Sequence, residues 1–132
     1  MTNYFMYPII GFIIFYALYS KGIILANFEF VDPKQAMDII QNEENNMTIL
    51  DVRTPDEYKM GHIKNSTLIP LQSLSKRLDE LHNFKDKKVL VYCASGSRSI
   101  SASRILEKNG FSPYNMNGGV SSWVGNGYKI TK

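Results

Sequence analysis

The chain has one cysteine, one tryptophan and two histidines among 132 residues, and these shortages narrow its chemistry. A lone cysteine closes no internal disulfide in any compartment. One cysteine with two scattered histidines supplies no metal-ligand set, so neither a metal nor another cofactor is called for. The excess of positive charge is small too. Of 15 Lys and Arg only Lys21 precedes residue 28, leaving 14 basic against 12 acidic side chains in the remainder. Without interleaved basic and aromatic residues, that mild excess gives no ground for nucleic-acid binding. With 44% hydrophobic and 20% charged residues, the chain suits one compact domain with an appendage.

The appendage is where charge is missing altogether. No charged residue occurs from Tyr4 to Tyr19, and after Ser20-Lys21-Gly22 the apolar character resumes through Ile23-Ile24-Leu25-Ala26. The uninterrupted run is short of the ~20 residues a spanning helix needs. Residues 4–26 suffice if Lys21 snorkels to the headgroups. Tyr4, Tyr7, Tyr16 and Tyr19 would then form the aromatic belts. The expectation is a single transmembrane helix contacting lipid through residues 4–26, so that 1–27 is anchor and linker and 28–132 the domain. A cleaved signal peptide fits less well, because no Lys or Arg precedes the run. Lys21 behind the span places the domain on the cytoplasmic side.

From residue 28 strand and helix patterns alternate. Phe28-Glu29-Phe30 reads as a first strand, and Asp32-Pro33-Lys34-Gln35 as N-cap, N1 proline and N3 glutamine of a helix through Ile40. Thr48–Val52 is a second strand, and Thr54-Pro55-Asp56-Glu57 opens a short helix stopped by Gly61. Thr67–Ile69 is a third strand, after which Leu71, Leu74, Leu78 and Leu81 stripe a helix. Lys87–Tyr92 is a fourth strand, Tyr114–Met116 leaves room for a fifth, and a last helical turn surrounds Trp123. This alternation predicts an α/β fold, a mostly parallel five-stranded sheet with helices on both faces.

Cys93 falls where the fourth strand ends. Ligands of such sheets bind beyond the carboxyl ends of the strands. The segment Ala94-Ser95-Gly96-Ser97-Arg98-Ser99 follows, before a helix-like stretch from Ser101 to Glu107. Backbone N–H groups of such a loop can converge on an anion, and Arg98 adds a planar fork of donors. Cys93 is therefore the candidate nucleophile and residues 94–99 the substrate or anion loop. Asp51 and Arg53 are possible supports that can also simply pair with each other. His62, after a glycine at a helix end, reads as a tether rather than a base.

Asp51-Val52-Arg53, Glu57-Tyr58, Gly61-His62-Ile63, Ile69-Pro70-Leu71, the Cys93 loop and Gly118-Gly119 with Trp123 together resemble the rhodanese (sulfurtransferase) domain in its small single-domain form, over residues 28–128. The resemblance implies transfer of a sulfane sulfur through a persulfide on Cys93. The donor would be thiosulfate or a protein persulfide, and the acceptor a thiol or cyanide. Two alternatives remain open. One is a tethered, non-catalytic binding or redox-sensing module. The other is a Cys-loop phosphatase or arsenate reductase, although only four residues separate Cys93 from Arg98 where those enzymes place five.

Overall fold

The computed structural model describes residues 4–21, 23 and 27–132. Five strands, β1 (Glu29–Val31), β2 (Met47–Asp51), β3 (Ser66–Leu68), β4 (Lys88–Tyr92) and β5 (Ser112–Met116), form one sheet. Their order is β1-β5-β4-β2-β3 and every pairing is parallel. Among the described residues six α-helices accompany them: α1 (Met6–Ser20), α2 (Pro33–Asn42), α3 (Pro55–Met60), α4 (Leu71–Leu74), α5 (Ser97–Lys108) and α6 (Gly119–Gly125).

The strand side chains separate two cores. Val89, Val91 and Cys93 face one side, packed with Leu50, Val52, Leu74, Leu81, Ala102 and Leu106. Leu90 and Tyr92 face the other, with Ile49, Met116, Ala36 and Trp123. Alternate residues of β4 thus feed opposite layers, as a pleated strand covered on both faces requires.

Local chemistry sets several boundaries. Asp32 and Thr54 each accept from the N3 backbone N–H, and Gln35 and Glu57 reach back to the cap N–H, so α2 and α3 both open on a capping box with proline behind the cap. The expected leucine helix is divided. α4 makes one turn, and residues Leu78–Phe84 wind as a 3₁₀ helix. Through this stretch the Lys76, Arg77 and Glu80 amides donate to carbonyls three residues back, and Arg77 pairs with Glu80 at the same spacing. All four leucines still reach the core, because the tighter winding carries them inward as well. Between α2 and β2 the chain makes a short 3₁₀ turn, Glu44–Asn46.

The expected transmembrane helix is not observed. α1 has 15 residues, a length of roughly 22 Å at 1.5 Å per residue, against a hydrocarbon core of about 30 Å. Among the described residues no helix is long and apolar enough to cross a membrane. Residues 22 and 24–26 of the expected span lie outside the described residues. α1 is apolar on every face and buries none of its side chains. It meets the domain at its end, where the Arg104 guanidinium lies 3.7 Å over the Tyr19 ring, so Tyr19 serves as a packing surface for α5 instead of a belt residue.

Candidate active site

β4 runs directly into Cys93, which is 1% exposed. Its sulfur accepts the Gly96 N–H at 3.0 Å. The thiol donates to Ser99 Oγ at 3.5 Å, and that hydroxyl donates onward to the Gly96 carbonyl at 2.9 Å. The loop is shorter than the sequence suggested, because α5 begins at Ser97. Arg98 and Ser99 therefore sit in the first turn of the helix, and Ala94, Ser95 and Gly96 make the turn itself. Gly96 adopts φ 118°, in the region that favours glycine.

The loop is gripped from behind. The Val120 N–H donates to the Cys93 carbonyl at 2.8 Å and the Ser121 N–H to the Ala94 carbonyl at 3.1 Å, so the first turn of α6 satisfies its orphan donors on the cysteine loop. Gly118 and Gly119 lie at φ 75° and 61°. A Cβ on Gly119 would stand 2.6 Å from the Ala94 carbonyl carbon and closer still to the Cys93 oxygen. Only glycine admits α6 so near the nucleophile.

Both arginines of the motif are held by carboxylates. Arg98 forms a two-pronged pair with Glu57 at 2.7 and 2.8 Å. It ties the start of α5 to α3, and the fork expected to face an anion is occupied in this arrangement. Arg98 holds the Glu57 carboxyl down to about 2, against the opposing effect of partial burial. Asp51, fully buried, takes Arg53 through Nε and Nη2 and also accepts the Arg53 N–H at 2.9 Å. Arg53 Nη2 continues to the Gly61 carbonyl at 2.7 Å, and its guanidinium lies over the Tyr92 ring. The possible supports are thus a buried pair that staples β2 to the end of α3. His62 is a tether, to the preceding helix and the C-terminal segment and not to the next strand: Nδ1 donates to the Tyr58 carbonyl at 2.8 Å, the two rings stack 3.6 Å apart, and its backbone bridges to Thr131.

Sequence reasoning placed Glu57 only as the third residue of a helix cap. Its second role, fixing Arg98, joins residues 41 positions apart, a pairing that no local pattern reports. Asn115 was not singled out, and Lys21 was read only as the charge flanking the apolar run. Both line a cavity against the loop residues Ser95, Gly96 and Ser97. Among the described residues no cluster of His, Cys, Asp and Glu is arranged to hold a metal.

The Glu57–Arg98 pair carries a pH signature. The folded-state value of about 2 lies below the ~4.3 of a free glutamate. The pair's contribution is therefore full above about pH 5 and is lost as pH falls from about 4.5 to 2. With both side chains about a third exposed, solvent screening limits it to about 1 kcal/mol or less. Glu57→Gln should lower the thermal midpoint at neutral pH, and the gap from wild type should close across that acid window. A gap independent of pH would show that the charge pair is not its source.

The chain matches the family model described as "Rhodanese-like domain" over residues 32–126. It is 32% identical over 89 residues to a sulfurtransferase of Allochromatium vinosum, covering 67% of this chain and 81% of that one. It is 36% identical over 110 residues to a probable molybdopterin-synthase adenylyltransferase of Porphyra purpurea, covering 79% of this chain; there it spans only 28% of the relative's length. The crystal structure of a rhodanese-related protein from Thermoplasma volcanium superposes with a TM-score of 0.71 at 33% identity, covering 79% of this chain and 98% of that one. A parallel sheet that delivers one cysteine into a glycine-bearing turn, matched over most of its length by these proteins, makes this chain a member of the rhodanese-like domain family.

Proposed function

We propose that the domain is a sulfurtransferase that carries a sulfane sulfur on Cys93, from thiosulfate or a persulfide donor to a thiol or cyanide. The observation that carries this reading is the Gly96 N–H donating to a sulfur at the carboxyl end of β4, in a chain that has no second cysteine. In the first half-reaction Cys93 Sγ attacks the outer sulfur of thiosulfate. A new S–S bond forms, the donor's S–S bond breaks with its electron pair leaving on sulfite, and the thiol proton passes to solvent. In the second, an acceptor thiolate attacks the outer sulfur and the electron pair returns to Cys93 Sγ. Cyanide in place of the thiol yields thiocyanate. Donors already in place around the sulfur meet its negative charge without reorganising, and covalent relay of this kind gives ping-pong kinetics.

Within the segment 94–99, Gly96 and Ser99 contact the reacting sulfur, and Ala94 holds the turn through its carbonyl. Ser95 and Ser97 stand at the cavity beside it. Arg98 acts as a positioning residue through Glu57, and Asp51 with Arg53 steadies the neighbouring strand end. The Cys93→Ser variant should lose thiocyanate formation from thiosulfate and cyanide by about three orders of magnitude, with its thermal midpoint close to wild type. Substantial turnover in that variant would refute the mechanism.

We also propose that α1 holds the domain at a lipid surface on the cytoplasmic side. Support comes from side chains exposed over most of the helix, among them Tyr7, Phe12 and Ile13, with Lys21 as the flanking positive charge. Apolar burial in lipid resists salt, whereas electrostatic attachment is screened by it. The full chain should therefore stay in the membrane fraction through high-salt and carbonate washes, and protease added to intact cells should leave the domain whole. Release by salt, or cleavage from outside, would overturn the corresponding half of this placement.

A further inference from the structure

A cavity of about 290 Å³ lies between Ser95, Gly96 and Ser97 of the cysteine loop, Asn115 of β5, and Lys21 just beyond α1. Its size is at the small end for ligand sites. Gly96 belongs to this wall and donates to Cys93 Sγ, so an occupant sits one residue from the reacting sulfur. Two groups on the wall ask for complementary chemistry. Asn115 is 1% exposed, and its Oδ1 has no hydrogen-bond partner. A buried carbonyl left unmatched costs about 1–3 kcal/mol, and a ligand N–H would relieve it. Lys21 supplies positive charge to a wall that contains no carboxylate among its described residues. Its place is set by its own N–H, which donates to the Ala17 carbonyl at the end of α1, and by the Tyr19–Arg104 stacking that seats that end on α5.

We infer that this cavity is the acceptor subsite of the transfer reaction, and that it takes a small thiol bearing a carboxylate and an ammonium or amide N–H. The carboxylate is directed to Lys21 and the N–H to Asn115 Oδ1. This rests on the sulfur-transfer reading above. With Sγ nearly inaccessible, the acceptor meets the outer sulfur of the persulfide, about 2 Å further along the new bond. The acceptor thiolate forms an S–S bond to that atom. The Cys93 S–S bond breaks, its electron pair returns to Sγ, and no external oxidant or reductant is consumed. The residue that caps the N-terminal helix thereby sets specificity in a site otherwise built from the α/β domain.

Three thiols separate the two contacts: L-cysteine has both groups, cysteamine lacks the carboxylate, and 3-mercaptopropionate lacks the nitrogen. The full chain is first loaded with sulfur from thiosulfate, and the rate of sulfur loss to each thiol is then followed by intact mass. Comparing ratios between wild type and variant cancels differences in thiol basicity. Lys21→Gln should lower the cysteine-to-cysteamine ratio about tenfold, and Lys21→Arg should restore it. Asn115→Leu should lower the cysteine-to-mercaptopropionate ratio by a similar factor. Should Asn115→Leu fail to fold, the exposed Lys21 position decides alone. Unchanged ratios in variants that load sulfur normally would overturn the subsite and leave sulfur transfer standing. A wild-type chain that takes up sulfur neither from thiosulfate nor from a small persulfide donor would sink the transfer reading and the subsite with it.

Discussion

The cysteine loop depends on the close approach of α6. Two amides, of Val120 and Ser121, hold the carbonyls of Cys93 and Ala94. With those carbonyls turned back toward α6, the turn presents the Gly96 amide to the sulfur on its other side. The approach exists because Gly119 has no side chain to meet that backbone. The parallel sheet supplies the other half of the constraint, since β4 is central and pairs with β2 along its whole length and with β5 from Lys88 to Val91. Cys93 thus begins at the end of a rigid strand and is closed off by a helix that cannot retreat without losing two hydrogen bonds.

The charges are arranged to leave the sulfur with neutral donors. Arg53 is spent on Asp51 and Gly61, and Arg98 on Glu57. Burial alone would weaken the Arg53 charge, and the bonds to Asp51 more than restore it. Tyr92 lies between these systems. Burial raises its phenol first, with Asp51 adding to the effect, so it stays neutral, accepting from the Ile63 N–H and donating to Ser66 Oγ. The Arg98–Glu57 pair and the Tyr92 bonds join segments far apart in sequence, and together with the local Asp51–Arg53 pair they fix α3, β2 and the start of α5 around the loop. That rigidity suits a reaction in which the protein holds one atom in place and does little proton transfer.

Much of this was legible in the sequence because it is local. The two capping boxes, the alternation of strands and helices, and the cysteine at a strand end are patterns within a few residues. So is the Asp51–Arg53 pair, which spans only two positions. Strand ends were misplaced by one or two residues, since pairing to neighbours decides where a ladder stops. The leucine stripe after Ile69 was read as one helix, because spacings of three and four do not distinguish α from 3₁₀ winding. What stayed hidden is long-range: Glu57 against Arg98, α6 against the loop, and Lys21 with Asn115 beside it. The apolar N-terminal run showed that α1 would expose apolar side chains, but composition did not disclose that the helix in the described residues stops at Ser20.

Intact mass of the full chain after brief exposure to thiosulfate and removal of excess reagent tests the central claim most directly. The account predicts a gain of one sulfur atom, located on Cys93 by fragmentation and removed by cyanide with restoration of the original mass. An unchanged mass, or a sulfur found elsewhere than on Cys93, would contradict it.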